Sequence, residues 1–304
     1  MHYCQRSLKI LFIITLALCV HSSAHAQKLR FLVLGDWGRE GRDLQTAVAN
    51  AMTKQASKDH PAFVLSTGDN FYKDGVASVT DSQFQTSFER IYSAPSLHIP
   101  WYVSLGNHDY HTHPEAEIAY TAVSDRWKMP SRYFAQEIPV DDTTSALFLI
   151  IDTSPFITQY QREDSVYHVI GQSTQVQLRW MDSVLAHSHA KWKFAVGHHP
   201  VYSAAKTHGD TPELIAQVLP IFRKYHLNAY FCGHDHNLQH LVDAGFHSYL
   251  SGGGCEAREV KPRADTKFVA ASAGFLEVTL STSNCLAEFY NSDDKKLDTS
   301  SMKP

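Results

Sequence analysis

Short hydrophobic runs recur along this chain, and five of them stop at a glycine followed by polar residues able to bind metal. Positions 29–34 close on Gly35-Asp36-Trp37-Gly38, 61–66 on Gly68-Asp69-Asn70-Phe71-Tyr72, and 101–105 on Gly106-Asn107-His108-Asp109. Further on, 194–196 lead into Gly197-His198-His199-Pro200, and 228–232 into Gly233-His234-Asp235-His236. Each run has the length and composition of a buried strand. Between them, Leu44, Val48 and Met52 recur at helical spacing, and 83–92 reads as helix. Val176, Trp180 and Val184, with Met181 and Leu185, mark an amphipathic helix. Thr211-Pro212 reads as a cap and first helical position, opening a helix through Leu214, Val218 and Phe222. A further strand is expected at 146–151, with closing strands at Tyr249-Leu250 and 275–280. Strands alternating with helices predict an α/β fold built from βαβ units. No internal repeat or long linker divides the chain, so one domain is expected over 27–304.

In open α/β sheets, ligands gather outside the carboxyl ends of the strands. A glycine before each polar block lets the backbone turn sharply and come close to a bound group. Asp36, Asp69, Tyr72, Asn107, His198, His234 and His236 would then converge on one rim. Carboxylate, phenolate, amide and imidazole donors suit iron, manganese or zinc better than calcium or magnesium. Asp69 has two oxygens and could bridge two ions about 3.5–4 Å apart, the spacing that stabilises both attacking and leaving oxygens of a phosphate ester. Taken singly, each residue has an ordinary explanation, since Gly-Asp is a common turn and the chain holds 19 histidines. Their joint occurrence points to a two-metal site.

The first 26 residues differ from the rest. Arg6 and Lys9 precede an apolar stretch at 11–20, and Ala24-His25-Ala26 forms a small-residue cleavage signal. That layout predicts a secretory leader with Gln27 as the mature start, and hence a secreted or periplasmic protein. The apolar stretch is short for a bilayer span, and bulky Leu18 before Cys19 disfavours lipid attachment. The mature chain would carry 25 basic against 31 acidic residues, a net charge of −6. No basic run suggests nucleic acid or membrane as a partner, and a monomer is expected. Cys232, Cys255 and Cys285 remain after the leader, and read best as small buried hydrophobes.

The five blocks resemble those of the calcineurin-like metallophosphoesterases, and Tyr72, three residues after Asp69, resembles the tyrosine that marks purple acid phosphatases. Pro100-Trp101-Tyr102-Val103, Ile118-Ala119-Tyr120 and the stretch 228–239 are similar to the small, mammalian-type members. The resemblance runs from about Arg30 to Gly254, and the extra N-terminal domain of the large plant-type enzymes is absent from the sequence. It implies a four-layer α/β/β/α sandwich. It also implies Asp36, Asp69, Tyr72 and His236 on Fe(III), and Asp69, Asn107, His198 and His234 on a divalent iron, zinc or manganese.

Under that resemblance the activity is acid hydrolysis of small phosphate monoesters by metal-activated hydroxide. His108 would stabilise phosphate or protonate the leaving group, with Asp109 orienting its ring. His208 would face substrate, although its spacing from His198 is one residue longer than in the mammalian type. His199 is expected as pocket wall, His111 and His113 as a solvated loop, and Gly252-Gly253-Gly254 as a tight turn. The polar stretch 159–171 stands where those relatives carry a loop over the site, and is expected to restrain access. Two other readings keep the same residues: a phosphodiesterase, nucleotidase or phosphoprotein phosphatase, and a non-catalytic binding scaffold.

Overall fold

The computed structural model of the chain describes residues 28–304. The expected leader, 1–26, lies outside the described residues. The elements run β1 (Leu29–Leu34), α1 (Gln45–Asp59), β2 (Phe63–Ser66), β3 (Trp101–Val103), α2 (Pro114–Tyr120), β4 (Trp127–Lys128), β5 (Phe134–Pro139) and β6 (Ser145–Ile150). Next come α3 (Thr158–Arg162), α4 (Asp164–Tyr167), α5 (Thr174–His187), β7 (Trp192–Val196), α6 (Pro212–Gln217), α7 (Leu219–Lys224) and β8 (Ala229–Cys232). Six strands close the chain: β9 (Leu238–Asp243), β10 (Phe246–Ser251), β11 (Thr266–Ala270), β12 (Gly274–Leu280), β13 (Cys285–Asn291) and β14 (Lys296–Met302).

They form two mixed seven-stranded sheets, ordered β14-β13-β12-β1-β2-β3-β4 and β11-β9-β10-β8-β7-β6-β5. β1, β2, β3 and β4 are parallel neighbours in the first sheet, and β6, β7, β8 and β10 in the second. The period of two along a strand sorts side chains between layers. Ala146, Phe148 and Ile150 of β6 enter the core between the sheets, whereas Leu147, Leu149 and Ile151 join Met181, Leu185 and Phe222 under the outer helices. Phe31 of β1 packs edge-on against Phe148 and Phe231 of the opposite sheet, at ring distances of 5.3 and 5.8 Å. With α1 against β12 and β13 on the other outer face, the expected α/β/β/α sandwich is present.

Several local expectations shift. The 83–92 segment contains a π-helical turn at Phe84–Glu89 rather than a regular helix. The helix expected from Thr211 is broken into α6 and α7, with Pro220 in the first turn of α7, and the Thr211 side chain makes no capping bond. On α5 the buried face is Gln177, Met181 and Leu185, while Val176 is 46% exposed. Gln177 is buried because its amide grips the Asp152 backbone, accepting from N at 2.8 Å and donating to O at 2.9 Å. The three described cysteines are free and buried, as expected. Among the described residues, no helix is long and apolar enough to cross a membrane.

Candidate metal centre

Asp36 follows β1, Asp69 and Tyr72 follow β2, and Asn107 follows β3, so the first sheet delivers four of the expected ligands from its carboxyl edge. His198 follows β7, and His234 and His236 follow β8, delivering three more from the second. Asp36, Asp69 and His234 have φ of 60°, 52° and 72°, left-handed values that cost a non-glycine residue roughly 1–3 kcal/mol. Neighbouring bonds hold them there: Asp36 N donates to Gly68 O at 2.9 Å, and His234 N to Asp36 Oδ2 at 2.9 Å. Close approach explains two of the glycines. A Cβ at Gly106 would lie 2.1 Å from Asp69 Oδ1, and one at Gly233 would lie 2.4 Å from Asp36 Oδ2.

The donor atoms fall into two groups sharing Asp69. Tyr72 OH lies 3.1 Å from Asp36 Oδ1, 2.9 Å from Asp69 Oδ2 and 3.0 Å from His236 Nε2. His198 Nε2 lies 3.4 Å from Asp69 Oδ1, 3.1 Å from Asn107 Oδ1 and 3.2 Å from His234 Nδ1. Ligands each 2.0–2.2 Å from one ion sit about 3 Å apart around it, so both groups have the spacing of a coordination shell. The two oxygens of Asp69 point one into each group.

The protons do not suffice for these contacts. His236 Nδ1 faces Glu256 Oε2 at 2.9 Å, and His198 Nδ1 faces Thr67 O at 3.0 Å. Donating there leaves both Nε2 atoms as bare lone pairs aimed into the groups. One phenolic hydrogen must then serve two carboxylates and an imidazole, an arrangement that a cation relieves. Burial keeps the imidazoles neutral: His198 is pushed down, His234 further, with His199 and His198 adding to it. His236 drops to about 4 through burial and the Arg258 cation. Asp36 is pushed up by burial and by the charge of Asp69. Neutral nitrogens and crowded carboxylates are a donor set that fits two metal ions.

Residues 29–238 match the family model for calcineurin-like phosphoesterases. The chain belongs to that family. Its relatives are purple acid phosphatases: it is 37% identical to purple acid phosphatase 4 of Arabidopsis thaliana, over 94% of this chain and 88% of the relative. It is 36% identical to tartrate-resistant acid phosphatase type 5 of Rattus norvegicus, over 80% and 77%. The fold also matches the solved structure of GAP50, described as the anchor in the inner membrane complex of Plasmodium, with TM-score 0.80 and 22% identity over 91% of this chain and 89% of that one. The chain is thus a hydrolase of phosphate esters.

Around the rim of this phosphoesterase, the remaining expected residues divide. The His108 ring packs 4.6 Å from that of Tyr72, with Nδ1 2.6 Å from Lys73 O and Nε2 4.0 Å from Asp69 Oδ2. His208 packs 4.2 Å from the ring of His234. Both line the cavity over the donor groups. Asp109 corrects the sequence expectation, because its carboxylate does not reach the His108 ring. It is fully buried and accepts from the backbone N–H of Asn70 at 2.9 Å, Phe71 at 3.1 Å and Gly106 at 2.8 Å. Asp109 therefore fixes the loops that carry Asp69 and Asn107, and the Lys73 carbonyl orients His108. Burial and the charge of Asp69 raise its carboxyl to about 8.

His199, expected as pocket wall, does not line the cavity over the donor groups but a neighbouring one, with one ring nitrogen 2.8 Å from Thr153 Oγ1 and the other 3.0 Å from Tyr160 OH. His111, expected in a solvated loop, instead lines the cavity with its ring 5.0 Å from that of His108. The cavity measures about 530 Å³ and also takes in Arg39, Lys73, Tyr160, Tyr167 and Arg258. Tyr160 of α3 and Tyr167 of α4 belong to the 159–171 stretch expected over the site, whereas sequence reasoning missed Arg39, Lys73, Arg258 and Glu256, which stand in loops and reach the site only through the folded chain.

Proposed function

We propose that this chain is an exported acid phosphatase that hydrolyses small phosphate monoesters at an Fe(III)–M(II) centre, where M is iron, zinc or manganese. The observation that carries the reading is the division of Asp69, one oxygen in each donor group. Asp36, Asp69, Tyr72 and His236 would hold the ferric ion. Asp69, Asn107, His198 and His234 would hold the divalent ion. When bound, the metal pair supplies Lewis acidity toward phosphate oxygens and a nucleophile from water at low pH. The chain's own residues do the rest. With Nδ1 donating to Lys73 O, His108 would offer an Nε2–H to phosphate or to the departing alkoxide only as the imidazolium. His208, beside His234, meets the substrate from the other side.

The leader-like composition of residues 1–26 supports export, and 27–304 would be the mature, monomeric single domain, with no nucleic-acid or membrane partner. The test is metal analysis of purified protein with a panel of phosphomonoesters and phosphodiesters across pH 4 to 9. We expect two metals per chain, a visible tyrosinate–iron band and faster monoester turnover in acid. Tyr72→Phe should abolish the band. A colourless wild type with full metal content would overturn the iron assignment.

A further inference from the structure

We propose that Glu256 is a positioning residue for the metal centre: through His236 it tightens the hold of the Tyr72 donor group on its ion and favours the higher charge state there. This deepens the phosphatase reading and rests on its two-metal centre. Each donor group contains an imidazole whose outer nitrogen meets a fixed acceptor, and the two acceptors differ. His198 Nδ1 faces the backbone carbonyl of Thr67 at 3.0 Å, whereas His236 Nδ1 faces Glu256 Oε2 at 2.9 Å. A neutral carbonyl orients its ring. A carboxylate also draws the N–H proton outward and makes the opposite nitrogen a stronger donor. A full negative charge one imidazole away from an ion favours the more positive ion. The asymmetry therefore separates the two positions before any metal arrives.

Glu256 is built into its place. Its loop is tied down by Gly254 N donating to Gly35 O at 3.0 Å, Leu44 N donating to Cys255 O at 2.9 Å, and Arg258 N donating to His236 O at 2.6 Å. The Arg258 side chain then donates to both carboxylate oxygens, at 3.2 and 3.1 Å. Arg39 stands on a further side, 3.6 Å from Oε2, and its guanidinium carbon is 4.3 Å from the centroid of the Tyr72 ring. Both ring ligands of this group are thus in contact with a charge of the second layer: His236 with a negative one, Tyr72 with a positive one. The two act on the same ion in opposite senses. Glu256 is only partly buried, and ion pairs of that kind contribute about 0–1 kcal/mol to stability. Removing its charge costs the fold little, so a change at the metal centre can be read separately.

The test is a redox titration of the metal-loaded enzyme with dithionite, followed through the tyrosinate–iron band. Glu256→Gln keeps an oxygen for His236 and removes the charge. It should weaken the ferric preference about tenfold, which raises the midpoint potential by about 59 mV for one electron. Arg39→Gln should move the midpoint the opposite way, because it takes a cation from the Tyr72 ring and leaves Glu256 less neutralised. Asp43→Asn is the charge control. Asp43 pairs with the other terminal nitrogen of Arg39 at 3.8 Å and has no contact with either ring, so its midpoint should stay at the wild-type value. Competition with a chelator gives a second readout, which a role in the fold alone would not produce. In Glu256→Gln one of the two metal-loss steps should come at about tenfold lower chelator, and the other should not move. An unchanged midpoint in Glu256→Gln, or two steps shifted together, would overturn the proposal. A wild type without the band would refute the ferric reading instead. The chelator comparison with zinc in both positions would then decide the role of Glu256: one shifted step supports it, and none overturns it.

Discussion

Glu277 gives the fold a dependence on pH that can be isolated with one substitution. It lies in β12 between Leu32 of β1 and Glu288 of β13, is 3% exposed, and has a buried oxygen with no partner. Burial, then the charges of Asp59 and Glu288, raise its carboxyl to about 7, against an ordinary 4.5, despite Lys58 and Arg30 nearby. The folded state thus keeps this proton longer than the unfolded chain. Its stabilising contribution is complete below pH 4.5 and is lost as pH rises through 7. At 1.36 kcal/mol per pH unit, trimmed for residual solvent screening, the effect is about 2 kcal/mol. Glu277→Gln removes the titration while keeping the shape. Urea denaturation of variant and wild type at pH 5 and pH 8 measures it. The variant should gain about 2 kcal/mol relative to wild type on going from pH 5 to pH 8. Any fixed cost of burying the amide cancels in that comparison. An equal difference at both pH values would refute the assignment.

Gly106→Ala should abolish metal retention while leaving both sheets intact, because its Cβ would press within 2.1 Å of Asp69 Oδ1; normal metal content in the purified variant would contradict this. Asp109→Ala should destabilise by about 3 kcal/mol or more, since each orphaned buried N–H costs roughly 1–3 kcal/mol; an unchanged melting temperature with reduced turnover would instead restore the histidine-orienting role. Cleavage within 159–171, or Tyr160→Ala, should raise turnover of bulky esters, because Tyr160 ties this segment to His199 at 3.0 Å; equal rates before and after cleavage would refute the restraint.

Much of this arrangement was legible because a buried strand ending in glycine and a polar donor is a local signal. The seven expected ligands all meet, and His208 reaches His234 despite its shifted spacing. What stayed hidden depends on tertiary approach. Asp109 stands next to His108 in sequence, yet its carboxylate serves backbone from the β2 loop. Arg39, Glu256 and Arg258 have no periodicity and no adjacent motif, and gain their meaning only beside Tyr72 and His236. The outer strands were also obscure. β14 reads Lys-Leu-Asp-Thr-Ser-Ser-Met and buries only Met302 among its residues, so its pairing with β13 leaves little hydrophobic trace. Pro220 breaks a helix that the apolar spacing alone would have continued.

β1 is the hinge between two kinds of pairing. Its parallel neighbour β2 arrives early in the chain, but its antiparallel neighbour β12 comes roughly 250 residues later. During synthesis, the strand that presents Asp36 must therefore wait with one edge open until nearly the whole chain has emerged. An open hydrophobic edge invites pairing with another molecule, and closing so long a loop is slow. The last thirty residues contribute none of the proposed ligands, yet their arrival completes the sheet, so truncating them is expected to cost yield and solubility before it costs chemistry.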